Sequence, residues 1–173
     1  VGALWTGVRA IERVNRVLMP TLLGILLLAL VRALTLEGSG EGLRYLFTPQ
    51  WDQLGQPRLW LEALTQNAWD TGAGWGLILT YAAYMRREHG VVKNAFLTGM
   101  GNNTVSLLAA MTIFGTVFAV LGAELSRAQL LEVMRSSGPA STGLTFIWLP
   151  QLFARLPLGK VLAVLFFVGL SFA

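Results

Sequence analysis

The sequence predicts an all-α, polytopic membrane helix bundle, and three observations carry that prediction. Hydrophobic residues make up 54% of the chain and charged residues only 13%, against roughly 25% charged in an average soluble domain. The apolar residues gather into segments close to the ~20 residues that a bilayer crossing requires. Basic residues collect at the flanks of these segments, the pattern of membrane topology signals. So few polar side chains cannot coat an ordinary soluble globule, and so many apolar ones exclude a disordered chain. No cysteine is present, which excludes disulfides and thiolate metal sites. A single histidine, His89, leaves little room for imidazole chemistry. The net charge of +4 comes from basic residues lying between apolar stretches, which fits membrane flanks and not nucleic acid.

The elements follow in order. Ala10–Leu18 alternates Ile11, Val14, Val17 and Leu18 with Glu12, Arg13 and Arg16, the spacing of an amphipathic helix leaving the membrane interface. The first span covers about 17–36. It is uncharged from Val17 to Val31 and bounded by Arg16 and Arg32, whose long side chains can snorkel. Pro20 predicts a kink near Met19. Residues 37–60 hold glycines, Pro49, Pro57 and mixed charges, and read as an outer loop. The second span, about 61–85, carries one charge, Asp70. A short basic turn follows, Arg86-Arg87-Glu88-His89-Gly90 with Lys93. The third span, about 93–122, has no charge from Asn94 to Ala123. Residues 123–157 form a second outer stretch, with two short helices lying across a face. These are the amphipathic Ser126–Met134 and, after Ser136-Ser137-Gly138-Pro139, the more apolar Leu144–Leu156 with Pro150. The fourth span occupies about 158–173. Trp51, Trp60 and Trp148 read as interface-belt aromatics. The positive-inside rule places Arg9, Arg13 and Arg16, and the Arg86–Lys93 turn, on the cytoplasmic side. The 173 residues form a single transmembrane domain. They read as a piece of a longer protein, starting at Val1 without Met and ending inside the apolar run Leu165–Ala173.

Asp70 is the most informative residue. A carboxylate at bilayer depth costs several kcal/mol unless it meets a cavity, a cation or a partner. No Lys or Arg lies within a turn or two of it. That leaves a distant basic residue, a bound cation or a proton on the carboxyl; the plain alternative is a segment outside the membrane with Asp70 in water. Around it stands Gln66-Asn67-Ala68-Trp69-Asp70-Thr71-Gly72-Ala73-Gly74-Trp75-Gly76. Glycines are poor helix formers and can mark close helix contacts. Beside a carboxylate, a threonine and two tryptophans they predict a helix interrupted at about Thr71-Gly74, with main chain unwound around a buried acid. Transporters place ion and substrate sites at such breaks. Trp69 and Trp75, next to the break, read as pocket lining. Asn102 and Ser106 share a helix face, as ion-site groups or as ordinary interhelical hydrogen-bonding residues. Gly99-Met100-Gly101 follows no strand and is no dinucleotide motif. No nucleophile–base pair, metal-ligand cluster or phosphate loop is visible, so no enzyme is expected.

An ordered series of motifs runs along nearly the whole chain: Gly7-Val8-Arg9-Ala10-Ile11-Glu12-Arg13, Met19-Pro20-Thr21, Tyr45-Leu46-Phe47-Thr48-Pro49 and Trp60. It continues through Gln66 with the break, Thr80-Tyr81-Ala82-Ala83-Tyr84, and Gly143-Leu144-Thr145-Phe146-Ile147-Trp148-Leu149-Pro150. The series resembles the neurotransmitter:sodium symporters, in particular bacterial amino-acid transporters with the leucine-transporter fold, over the fifth to eighth helices. The resemblance implies a partial fold of that type. It also implies sodium-coupled transport, by alternating access, of a small organic solute, an amino acid first among them.

Residue by residue, it implies that Asp70, Asn102 and Ser171 are sodium ligands, Asp70 standing where the family usually has Ser or Thr. Gln66 and Ser106 match positions around a chloride site. Trp69, Gly72 and Trp75 match substrate-lining positions, and Tyr84 a tyrosine near the cytoplasmic gate. Phe172, grouped with the substrate-lining residues, falls where the family has a second hydroxyl ligand of the second sodium, a departure from its pattern. The implied cofactor is Na⁺, with Cl⁻ replaced by the Asp70 charge; a competing version has Asp70 take up a proton during the cycle. The implied partners are the solute, sodium and the lipid bilayer, with room for a homodimer and none for nucleic acid. The rival reading is a membrane bundle that does not transport and serves as a receptor or assembly module.

Overall fold

The computed structural model describes residues 8–72, 74–85, 90–122, 124–136, 142–156 and 158–172. Every regular element among them is helical: α1 Val8–Leu34, α2 Ser39–Leu46, a 3-10 turn at Trp51–Gly55, α3 Pro57–Thr71, α4 Leu77–Ala83, α5 Val91–Leu121, α6 Arg127–Ser136, α7 Thr142–Ala154 and α8 Gly159–Phe172. Two stretches, Glu12–Leu34 and Val91–Leu121, are long and apolar enough to cross a membrane, and Gly159–Ser171 is a shorter apolar helix. The chain is an all-α bundle of the predicted class. It divides into two compact units, one of residues 1–47 and 108–173 and the other of residues 48–107. The predicted cytoplasmic turn 86–89 lies outside the described residues.

In the first unit, α1 runs on through Pro20 without a break in its assignment. The Thr21 hydroxyl donates to the Val17 carbonyl at 2.8 Å. Ile25, Ala29 and Ala33, four residues apart, form one buried stripe. They pack on Leu149, Leu152 and Phe153 of α7, with Leu162, Ala163 and Phe166 of α8 against them. Early residues of α1 meet late residues of α8: a Cβ on Gly169 would press on Leu22 and Leu18. The two helices are therefore antiparallel.

The stretch 37–60 differs from the predicted loop. Gly38, at φ 85°, turns the chain into α2, whose Ser39, Gly42 and Tyr45 recur every three residues. Ser39 and Gly42 are buried. A Cβ on Gly42 would collide with the Phe114 carbonyl of α5, so the absence of a side chain lets the two backbones touch. Tyr45 stacks on Phe114 with ring centroids 5.9 Å apart, and the Arg127 guanidinium lies 5.4 Å from the Tyr45 ring centre, a cation–π distance.

Trp148 also departs from expectation. It is 4% exposed and packs with Val117, Phe118 and Leu130, so it is a core residue and not a belt aromatic. Residues 123–157 carry α6 and α7. A capping box starts α6: Ser126 N–H donates to Gln129 Oε1 at 3.0 Å, and Gln129 N–H reaches back to Ser126 Oγ at 3.5 Å, satisfying amides that a helix start leaves open.

The second unit holds the 3-10 turn, α3, α4 and the first half of α5. Pro57 occupies the first turn of α3, where its missing N–H costs nothing. Trp60 Nε1 donates to the Leu54 carbonyl at 2.8 Å and pins the turn to the helix. Glu62 binds Arg58 at 2.7 Å and holds that guanidinium above its ordinary range. Leu59, Leu61 and Leu64 of α3 are exposed, so this helix presents apolar faces to its surroundings.

Candidate functional site

The helix predicted to break does break. α3 keeps its hydrogen-bond ladder to Thr71. Gly72 then takes φ 63°, Gly74 φ 82° and Gly76 φ 76°, and α4 begins at Leu77. All three angles lie in the left-handed region that costs an L side chain about 1–2 kcal/mol. Gly72 N–H donates to Trp69 O, and Trp75 N–H to Gly72 O, both at 3.1 Å. These turns replace the helical ladder. A Cβ on Gly76 would meet nothing within 4 Å, so backbone conformation alone selects glycine there. Gly76→Val is expected to destabilise the complete protein by about 1–2 kcal/mol, and Gly76→Asn by less, since asparagine tolerates the left-handed region; paired thermal melts in detergent check the order.

Two pairs of predicted residues are brought together at the break. Gln66 Nε2 donates to Asp70 Oδ1 at 2.9 Å. The Trp69 and Trp75 rings meet edge to face, with centroids 4.9 Å apart and planes at 89°. One expectation needs correcting. Asp70 sits on the last turn of α3, before the unwound stretch, and it is exposed in this chain. The main-chain ladder holds through Thr71 and yields only at the first left-handed glycine, so the unwound stretch follows Asp70 and does not surround it.

Asn102 and Ser106 lie one turn apart on α5. Asn102 Nδ2 is buried and has no hydrogen-bond partner among the described residues, a condition that costs about 1–3 kcal/mol. A 180° rotation of the amide puts its oxygen in the same place, so this position suits a ligand of either polarity. Tyr84 caps the end of α4 and is exposed. Ser171 belongs to the other unit, near the end of α8, where its hydroxyl donates to the Phe167 carbonyl at 2.8 Å. The Phe172 side chain lies outside the described residues.

A groove of about 560 Å³ opens between α4 and the start of α5. Its lining includes Thr71, Tyr81, Met85, Asn94 and Thr98. The sequence reading singled out none of these as site residues. The signal was available: Asn94, Thr98, Asn102 and Ser106 recur every four residues along a mostly apolar helix, and residues four apart share a face. Attention to Asn102 and Ser106 alone missed the first half of that polar row.

The geometry combines a helix broken at glycines, an acid–amide pair, paired indoles and an unpartnered asparagine amide. Residues 2–173 match the family model described as the sodium:neurotransmitter symporter family. The chain belongs to this family. Among its relatives, the sodium-dependent nutrient amino acid transporter 1 of Drosophila melanogaster is 34% identical over 144 residues, covering 83% of this chain and 22% of that protein. The creatine transporter of Torpedo marmorata is 32% identical over 168 residues, covering 96% of this chain and 26% of that protein. The sodium- and chloride-dependent GABA transporter ine of Drosophila melanogaster is 27% identical over 165 residues, covering 95% of this chain and 17% of that protein. The chain thus spans about a quarter or less of the length of these relatives.

Proposed function

We propose that the complete protein is a sodium-coupled symporter that moves a small organic solute, an amino acid first, across the cell membrane by alternating access. The observation that carries the reading is the glycine break beside the Gln66–Asp70 pair. A broken helix turns main-chain dipoles toward an ion or solute that an intact ladder would keep engaged. Two relatives, one named as sodium-dependent and one as sodium- and chloride-dependent, support the coupling ion.

In this reading Asp70 and Asn102 ligate one sodium, and Ser171 contributes to a second. Trp69, Gly72 and Trp75 line the solute pocket, and Phe172 is assigned to the same group of solute-binding residues. Tyr84 serves the cytoplasmic gate. The Arg86–Lys93 turn and the N-terminal end of the chain face the cytoplasm. The chemistry is differential binding: sodium and solute together favour one state of the pocket over the other, and no covalent step is needed. Gln66 and Ser106 occupy the positions associated with chloride. The Gln66 amide is already spent on the Asp70 carboxylate, which supports Asp70 as the resident negative charge in place of chloride.

Uptake of radiolabelled amino acids by proteoliposomes holding the complete protein tests the reading. A sodium gradient is expected to drive accumulation that choline in place of sodium abolishes. A protein that binds amino acids equally with and without sodium, and accumulates none, overturns it.

A further inference from the structure

The seam between α1 and α8 carries two apolar grooves. The larger, about 680 Å³, is lined by Leu27, Leu28, Val31 and Leu162 and ends at Arg32 and Thr35. The smaller, about 370 Å³, is lined by Val14, Val17, Leu165 and Val168 and ends at Arg13. Arg13 and Arg32 are nineteen residues apart on one helix, roughly 28 Å at 1.5 Å per residue. A bilayer's hydrocarbon is about 30 Å thick. Each arginine therefore falls at one edge of the hydrocarbon, and each groove runs inward from its arginine. A charged end at the boundary with an apolar channel leading to the midplane matches the outline of one membrane lipid per leaflet.

The larger groove has the better-defined charged end. The Arg32 Nη1 donates to Thr35 Oγ1 at 3.2 Å, and that hydroxyl donates in turn to the Arg32 carbonyl at 2.8 Å. The threonine thus holds the guanidinium in place. The Arg16 and Arg58 guanidinium groups pair with Glu12 and Glu62, whereas Arg32 has no carboxylate partner among the described residues. A guanidinium has five N–H donors in a fork that fits phosphate oxygens. Arg155 and Lys160 bracket, in sequence, the turn that brings Leu156 and Leu158 to the groove wall, adding positive charge to that end of the seam.

We propose that this groove is a specific site for an anionic glycerophospholipid, its phosphate on Arg32 and one acyl chain along Leu27, Leu28, Val31 and Leu162. The proposal stands apart from the transport reading, because lipid retention needs neither sodium nor solute.

Native mass spectrometry of the complete protein, released from micelles with equimolar phosphatidylglycerol and phosphatidylcholine, tests it. Wild type is expected to retain phosphatidylglycerol in preference. Arg32→Gln should lower that preference about fivefold, the worth of one basic side chain at an anionic surface, and Arg32→Lys should keep most of it. Leu28→Trp, which fills the groove, should cut retention of both lipids; Val31→Trp replaces it if Leu28→Trp fails to fold. Equal retention of the two lipids by wild type overturns the proposal. So does a preference lost equally in Arg155→Gln/Lys160→Gln while a correctly folded groove-filling variant keeps it, since that result describes diffuse surface attraction and not a site.

Discussion

An Asp70→Asn variant of the complete protein is expected to lose sodium-driven uptake in chloride-free buffer and to recover it when chloride is restored. The wild type should be indifferent when gluconate replaces chloride. A carboxylate about 4 Å from a sodium ion at an effective dielectric near 20 is worth about 4 kcal/mol. Removing it should weaken sodium binding by at least ~100-fold, at about 1.4 kcal/mol per decade. The substitution also replaces the charged acceptor of the Gln66 amide with a neutral and weaker one, leaving that amide more available to an external anion. Uptake measured over a sodium series, with and without chloride, reads both effects. A wild type whose transport collapses without chloride would overturn the assignment of Asp70 as resident charge, as would an Asp70→Asn variant that transports normally in gluconate.

Gly42→Val should destabilise the first unit more than any surface substitution. The added Cβ alone would sit 2.8 Å from the Phe114 carbonyl carbon, with the carbonyl oxygen nearer still. The obstacle is backbone, so α2 must move off α5 and carry Tyr45 away from Phe114 and Phe118. Forced repacking of this kind costs about 1–3 kcal/mol and at times more. Gly40→Ala is the matched control. Nothing lies within 4 Å of its Cβ position, and its φ is not in the left-handed region, so an alanine fits there without strain. The first variant should melt well below wild type in detergent and the second at or above it. Equal melting temperatures would mean that the close approach of α2 to α5 contributes nothing to stability.

The contrast between these glycines explains what the sequence made legible. Long uncharged runs announced α1 and α5, because hydrophobic length is written one residue at a time. The break between α3 and α4 was legible because three glycines next to a carboxylate leave few other conformations that satisfy the backbone. The helix α2 was not. Its buried face is Ser39, Gly42 and Tyr45, and two of these three are small enough to read as loop. Burial by absence of a side chain leaves no mark on a hydropathy count. Trp148 misled for the opposite reason: an indole near a predicted membrane edge looks the same in sequence whether it faces headgroups or, as here, the packed side of α7.

At the site, Gln66 and Asp70 were each legible, but their direct hydrogen bond was not, because residues four apart on a helix are able to meet without being obliged to. Where the ladder ends relative to Asp70 is a matter of one or two residues that composition does not fix. The polar row from Asn94 to Ser106 was fully written in the spacing, and only its second half was read.

The edge-to-face indoles of Trp69 and Trp75 have Gly72 and Gly74 between them in the chain. With centroids 4.9 Å apart, their excited states are coupled, and such coupling fades steeply as rings separate or reorient. Any pivot of the shorter half-helix on those two residues must alter the ultraviolet ellipticity and emission of the pair. The indole pair is therefore an optical report on the geometry of the break, readable without an attached dye.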